Sequence, residues 1–245
     1  MASPLLEAEG LTKRYGGLVA NDAVSMTLAP GEVRGLIGPN GAGKTTFVNL
    51  LTGLETPETG RIRLGGTDLT GLPPNQIAAR GLVRTFQVAR VFANLSVREN
   101  LLLPFLAAGS PGGVGEGLAR AAELLAAATL EPLADEPAGT LSGGQRMLLQ
   151  ACAGFMIPTV RLYVLDEPFA GINPVVKDTL IGLIQRENTG KGRAFLIVSH
   201  EMEIVRRLCP RVTVMIQGRV AAEGSLDEVA RLPEVVAAYL GRAAA

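Results

Sequence analysis

One stretch constrains this chain more than any other: Gly38-Pro39-Asn40-Gly41-Ala42-Gly43-Lys44-Thr45-Thr46. It follows the apolar run Val33 to Ile37, which predicts a buried strand, and opens onto Phe47-Val48-Asn49-Leu50-Leu51, whose spacing predicts a helix. A strand, a G-x-x-x-x-G-K-[ST] turn and a helix make a phosphate site. The glycines let successive N–H groups turn around an anion, and the helix N-terminus adds unpaired donors and its positive dipole end. Lys44 would reach the β and γ phosphates, and the Thr45 hydroxyl would sit on Mg²⁺. The alternative, a glycine-rich connection that binds nothing, is set aside because the pattern and its strand–helix context agree.

At 245 residues the chain is long enough for one large domain or a core with a subdomain. A formal net charge of zero argues against nucleic acid as a direct partner, since such binding needs clustered Lys and Arg to displace counterions. With 47% hydrophobic and 19% charged residues, disorder is disfavoured and a partly apolar docking surface is permitted. The longest apolar stretches, such as Leu101 to Ala108, are too short to cross a bilayer and contain Pro104. Met1-Ala2-Ser3-Pro4 shows no basic region followed by an apolar one, so no export signal is expected and the protein is placed in the cytosol. Cys152 and Cys209 form no C-x-x-C pair and read as small buried hydrophobes.

Along the chain, Leu5 to Ala8 and Val24 to Leu28 have β character, with turns at Arg14-Tyr15-Gly16-Gly17 and Asn21-Asp22, and residues 60–69 alternate in the same way. Together they predict an antiparallel layer beside the phosphate loop. Tyr15 sits in a glycine turn, where its ring either stacks on a nucleobase or packs at the sheet edge. A short helix from Pro73 to Gly81 and a strand Leu82 to Gln87 follow, and from Val88 to Ala138 the pattern turns helical. Ser96-Val97-Arg98-Glu99 fits a capping box, Gly109 to Gly117 reads as a loop, and Leu118 to Leu130 as a helix. A helical insert of this length between two strands is a second lobe.

Leu141-Ser142-Gly143-Gly144-Gln145 precedes a helix over Arg146 to Phe155, and Ser142 and Gln145 stand at capping-box spacing. Two glycines in a first turn are costly, and a cap does not need them. They make sense where an anion approaches that N-terminus closely. The apolar run Arg161 to Leu165 then ends in Asp166-Glu167, at the strand end that faces the ligand crevice of an open α/β sheet. Asp166 suits an outer role on Mg²⁺ and Glu167 a base or water-positioning role. A helix Pro174 to Glu187, a turn Thr189 to Gly192 and a buried strand Ala194 to Val198 lead to Ser199-His200, the chain's one histidine. Val212 to Ile216 and Arg219 to Ala222 predict a hairpin across Gln217-Gly218, and helices Ser225 to Leu232 and Pro233 to Leu240 follow.

The phosphate loop, Gln87, LSGGQ, Asp166-Glu167 and His200, in that order, resemble the ATP-binding subunit of ABC transporters over essentially the whole chain. The resemblance implies an α/β fold with a RecA-like P-loop core and an antiparallel β subdomain over 1–87 and 157–245. A helical subdomain over 88–156 would carry LSGGQ. It implies a head-to-tail dimer with a second ATPase subunit, the same or a sister chain, with ATP between the phosphate loop and the opposite LSGGQ. On that pattern Tyr15 lies against adenine; Gly38, Pro39, Asn40, Gly41, Ala42, Gly43, Lys44, Thr45 and Thr46 hold phosphate; and Thr45, Gln87 and Asp166 serve Mg²⁺. Ser142, Gly143, Gly144 and Gln145 meet the partner's ATP. Glu167 is the base, with His200 on the γ phosphate and Gln87 near the attacking water. Asn173 stands where the common pattern has Asp, so a cross-dimer contact there would be a neutral hydrogen bond. Arg84-Thr85-Phe86-Gln87 and Ala238-Tyr239-Leu240-Gly241 look like the branch serving branched-chain amino acid importers, whose relatives include lipopolysaccharide exporters. Membrane permease subunits, an external or periplasmic solute-binding protein and a peripheral place on the cytoplasmic face of the inner membrane follow from the resemblance. A soluble ABC-type ATPase is the competing class; it usually carries a coiled coil or second cassette, for which 245 residues leave no room.

Overall fold

The computed structural model describes residues 3–85, 90–109 and 113–240. The chain opens with two long strands, β1 (Leu6–Tyr15) and β2 (Leu18–Leu28), paired antiparallel across Gly16-Gly17. β3 (Val33–Ile37) leaves for a second sheet and α1 (Lys44–Leu51) follows the glycine turn. β4 (Thr59–Leu64) and β5 (Thr67–Asp68) then return, completing a four-stranded sheet in the order β2-β1-β4-β5. In β2, Val24, Met26 and Leu28 are buried while Ser25 and Thr27 are exposed, the alternation of a sheet with one wet face. These strands are longer than the sequence predicts, and Asn21-Asp22 lies inside β2 rather than in a turn. The β1–β2 ladder shifts register between Ala8 and Leu11 and twice more before Arg14. Such bulges interrupt the local alternation by which strands are read.

After α2 (Pro74–Ala79), β6 (Leu82–Thr85) joins the second sheet with β7 (Leu162–Asp166), β8 (Ala194–Val198) and β9 (Arg211–Ile216); in the order β9-β3-β8-β7-β6 each neighbouring pair is parallel. β10 (Arg219–Gly224) pairs antiparallel with β9 at the edge. Every residue of β7 and β8 is buried. Leu162, Val164 and Leu196 belong to one core shared with α1 and the first sheet; Tyr163, Leu165, Phe195 and Ile197 belong to a second core under the helices. Covered on both faces, such strands appear in sequence as unbroken apolar runs.

Between β6 and β7 lie α3 (Val97–Ala107), α4 (Gly113–Ala127) and α5 (Gly143–Phe155). α3 begins with the expected capping box, Ser96 Oγ accepting from Glu99 N at 3.1 Å and Glu99 Oε2 from Ser96 N at 2.7 Å. α4 begins five residues before the expected Leu118, inside the stretch that reads as loop. Gly117 is the reason: a Cβ there would stand 2.8 Å from the Phe105 ring, so the glycine permits a close crossing of α4 over α3.

α6 (Pro174–Lys191) also outruns its expected end at Glu187 and stops at Gly192, whose φ of 65° closes the helix. Glu187 is buried and pairs with Arg193 at 2.6 Å and with Arg120 of α4, an ion-pair cluster that ties α4 to α6. α7 (Met202–Leu208) is a helix that the sequence reading does not anticipate, and α8 (Leu226–Val229) and α9 (Pro233–Leu240) follow β10. Cys152 and Cys209 are buried, as expected, and burial pushes both thiols up to about 12. Among the described residues no helix is long and apolar enough to cross a membrane.

Candidate functional site

The C-terminal ends of β7 and β8 open into one cavity of about 900 Å³. Asn40 to Thr46 form one wall, Asp166, Glu167 and His200 stand in another, and Tyr15 lies at its side. A crevice outside the carboxyl ends of parallel strands is where an open α/β sheet binds ligands.

The phosphate loop is braced by its neighbours. Gly218 N donates to Ala42 O at 3.0 Å and Asn21 Nδ2 to Gly43 O at 3.2 Å. Both carbonyls are thus satisfied by the protein, and α1 has no side-chain cap at Gly43. Gly43 has φ 95°, and a Cβ there would fall 2.4 Å from Ala20 O, so this turn admits only glycine. Gly38 and Pro39 do not line the cavity; their carbonyls receive Lys44 Nζ at 2.6 and 3.1 Å, arching the lysine over the turn.

Asp166 is 7% exposed, and its Oδ2 accepts from Arg84 at 2.6 Å. Glu167 has φ 49°, a left-handed conformation for a non-glycine residue that costs on the order of 1 kcal/mol. Its N–H is held by Val198 O at 2.9 Å, and its Oε2 lies 2.9 Å from His200 Nδ1. The strained backbone therefore aims a largely buried carboxylate at an exposed imidazole. Tyr15 is 44% exposed rather than packed at the sheet edge, and Lys13 Nζ lies 5.5 Å from its ring centroid. A hydrogen bond from Lys13 to Glu55 raises the ammonium's pKa and keeps that cation fixed beside the ring.

Other expected residues lie elsewhere. Ser142 and Gln145 cap α5 reciprocally, at 3.3 Å for Gln145 N to Ser142 Oγ and 2.9 Å for Ser142 N to Gln145 Oε1. Neither they nor Gly143 and Gly144 line the cavity. A Cβ on Gly144 would meet Val176 of α6 at 3.0 Å, so packing accounts for that glycine, whereas Gly143 faces open space. Asn173 caps α6, its Oδ1 accepting from Val176 N at 3.0 Å. Gln87 lies outside the described residues.

Arg84 and Gln217 also line the cavity, and the sequence reading assigns neither a role. The available signal for Arg84 was a cation within an otherwise apolar strand. Tyr239 of α9 lies outside that cavity: the Gly38 backbone faces its hydroxyl, and burial outweighs that contact to raise the phenol's pKa.

Residues 21–170 match the family model described as ABC transporter. The chain is 39% identical over 256 residues to the high-affinity branched-chain amino acid transport ATP-binding protein BraF of Pseudomonas aeruginosa, an alignment covering 99% of this chain and 100% of BraF. LivG of Escherichia coli K12, of the same description, matches with the same identity and coverage. Among solved structures, the ADP conformation of MJ1267, an ATP-binding cassette of an ABC transporter, superposes with a TM-score of 0.85 at 32% identity, covering 98% of this chain and 100% of that one.

Proposed function

This chain belongs to the ABC transporter ATP-binding family, with the α/β ATPase fold of its cassettes, and from that premise we propose that it hydrolyses ATP to power import of branched-chain amino acids or related small solutes. The names of BraF and LivG support that substrate class. The cavity's chemistry suits a nucleoside triphosphate with Mg²⁺. The N–H groups at the α1 N-terminus and the Lys44 ammonium suit phosphate oxygens, and the Tyr15 ring offers a face to a base. The Thr45 hydroxyl would be a hard oxygen donor to Mg²⁺, and the Asp166 carboxylate would hold it through its water shell. When bound, Mg²⁺ would neutralise charge on the phosphates. Glu167 takes the proton of the attacking water, and His200 orients Glu167 and contacts the terminal phosphate.

One observation carries the dimeric reading: the helix tip Ser142 to Gln145 is outside the cavity that collects Lys44, Thr45, Asp166, Glu167 and His200. A second ATPase subunit, another copy or a sister chain, supplies that tip across the interface. In this reading residues 88–156 form the lobe that carries the tip, and 1–87 with 157–245 form the core and β subdomain. Phe92, 63% exposed, and Leu95 then contact a membrane permease, placing the subunit peripherally on the cytoplasmic face of the inner membrane. A solute-binding protein outside the membrane would deliver the cargo. Co-purification from detergent-solubilised membranes tests the coupling. Recovery of a polytopic membrane protein, lost on Phe92→Asp, is expected; a subunit recovered alone contradicts it.

A further inference from the structure

β6 contributes one buried cation to the cavity wall. Arg84 lies opposite Val164 in the parallel ladder, and its guanidinium reaches toward the end of β7. NH2 donates to Asp166 Oδ2 at 2.6 Å and NH1 to Asn49 Oδ1 at 2.6 Å. The side chains of Arg84 and Asp166 are each 10% exposed, so water does little to loosen the pair. Asn49 lies on α1 four residues after Thr45, about one helical turn, on the same face. A planar guanidinium with a fixed fork holds both bonds at a set separation, which a flexible lysine ammonium would not.

We infer that Arg84 is a positioning residue for the metal half of the site: through Asn49 and Asp166 it fixes the spacing between α1, which carries Thr45, and the carboxylate at the end of β7. Its role rests on the reading of Thr45 and Asp166 as the Mg²⁺-side groups. The Arg84 bond occupies Oδ2, so Asp166 presents Oδ1 to a cation in a fixed orientation. Two effects compete. As a positive charge, Arg84 repels a cation, and its loss would tighten metal binding; as a strut, it orients Asp166, and its loss would weaken metal binding. Outer partners of ligating groups typically govern affinity in the second sense.

The test measures binding of a fluorescent ATP analogue by purified full-length protein, once in EDTA and once with Mg²⁺, and takes the ratio of affinities. For Arg84→Met we expect a ratio reduced about tenfold or more, over and above any loss in EDTA from removing a cation that lines the cavity. Asn49→Ala, which leaves the ion pair intact, should reduce the ratio by less. The double variant should be no worse than Arg84→Met alone, because both remove the same strut. Should Arg84→Met fail to fold, Asn49→Ala decides the matter by itself. An unchanged ratio, a raised ratio, or equal losses in EDTA and Mg²⁺ would overturn the strut. A wild-type ratio of one would instead overturn the underlying reading of Thr45 and Asp166.

Discussion

The phosphate loop and the Ser142–Gln145 helix tip are both glycine-rich turns that open helices, yet they treat their polar groups in opposite ways. At the first, Gly43 offers no side-chain cap, and donors from β2 and the β9–β10 turn engage the loop carbonyls. At the second, Ser142 and Gln145 cap α5 reciprocally, and Gly143 faces open space. On the proposed reading the loop is half of a site within one chain, and the tip, which caps itself, meets a group from outside. A glycine motif thus identifies close approach, and the capping around it tells whether the approaching group belongs to the same chain.

The largest effect is expected on the loop side. Glu167→Gln should lower kcat by about 10²–10⁴-fold with ATP affinity retained, as expected for loss of a general base; turnover at the wild-type rate would remove Glu167 from that role. The connection between the two regions comes next. Glu187→Ala leaves Arg193 and Arg120 without their buried carboxylate and should cost about 3 kcal/mol or more in urea unfolding. A loss below about 1 kcal/mol would show a surface-like pair and no firm tie between α4 and α6. Lys44→Ala should weaken ATP binding by about 1.5–3 kcal/mol, the value of a hydrogen bond to a charged group. Equal weakening by Gly143→Asp in the isolated chain would erase the contrast between loop and tip. Smallest is Ser142→Ala, at about 1 kcal/mol of stability from a lost cap, read by thermal denaturation.

Much of this arrangement was legible in the sequence. β3, β7 and β8 stand out because burial on both faces writes them as apolar runs, and both capping boxes follow from Ser and Glu or Gln three residues apart. Glu167 and His200 were legible as neighbours because both follow the ends of adjacent parallel strands. The rest depended on contacts between distant residues. Arg84 meets Asp166 across 82 positions, and Glu187 meets Arg120 across 67, pairings that leave no local period. Gly117 reads as a loop until Phe105 is seen against it, and Asn21-Asp22 reads as a turn until β1 is laid beside it. The contact of Tyr239 with Gly38 is hidden for the same reason, since only the fold brings α9 there.

The division of the site between two chains is tested most directly by light scattering of Glu167→Gln and of Glu167→Gln/Gly143→Asp, each with and without ATP and Mg²⁺; Gly143 is chosen because a side chain there meets open space. ATP should double the mass of the first protein from 25.6 kDa and leave the second monomeric, although both bind nucleotide. A first protein that stays monomeric with ATP, or a doubling that survives Gly143→Asp, would contradict a nucleotide held between the loop of one chain and the helix tip of another.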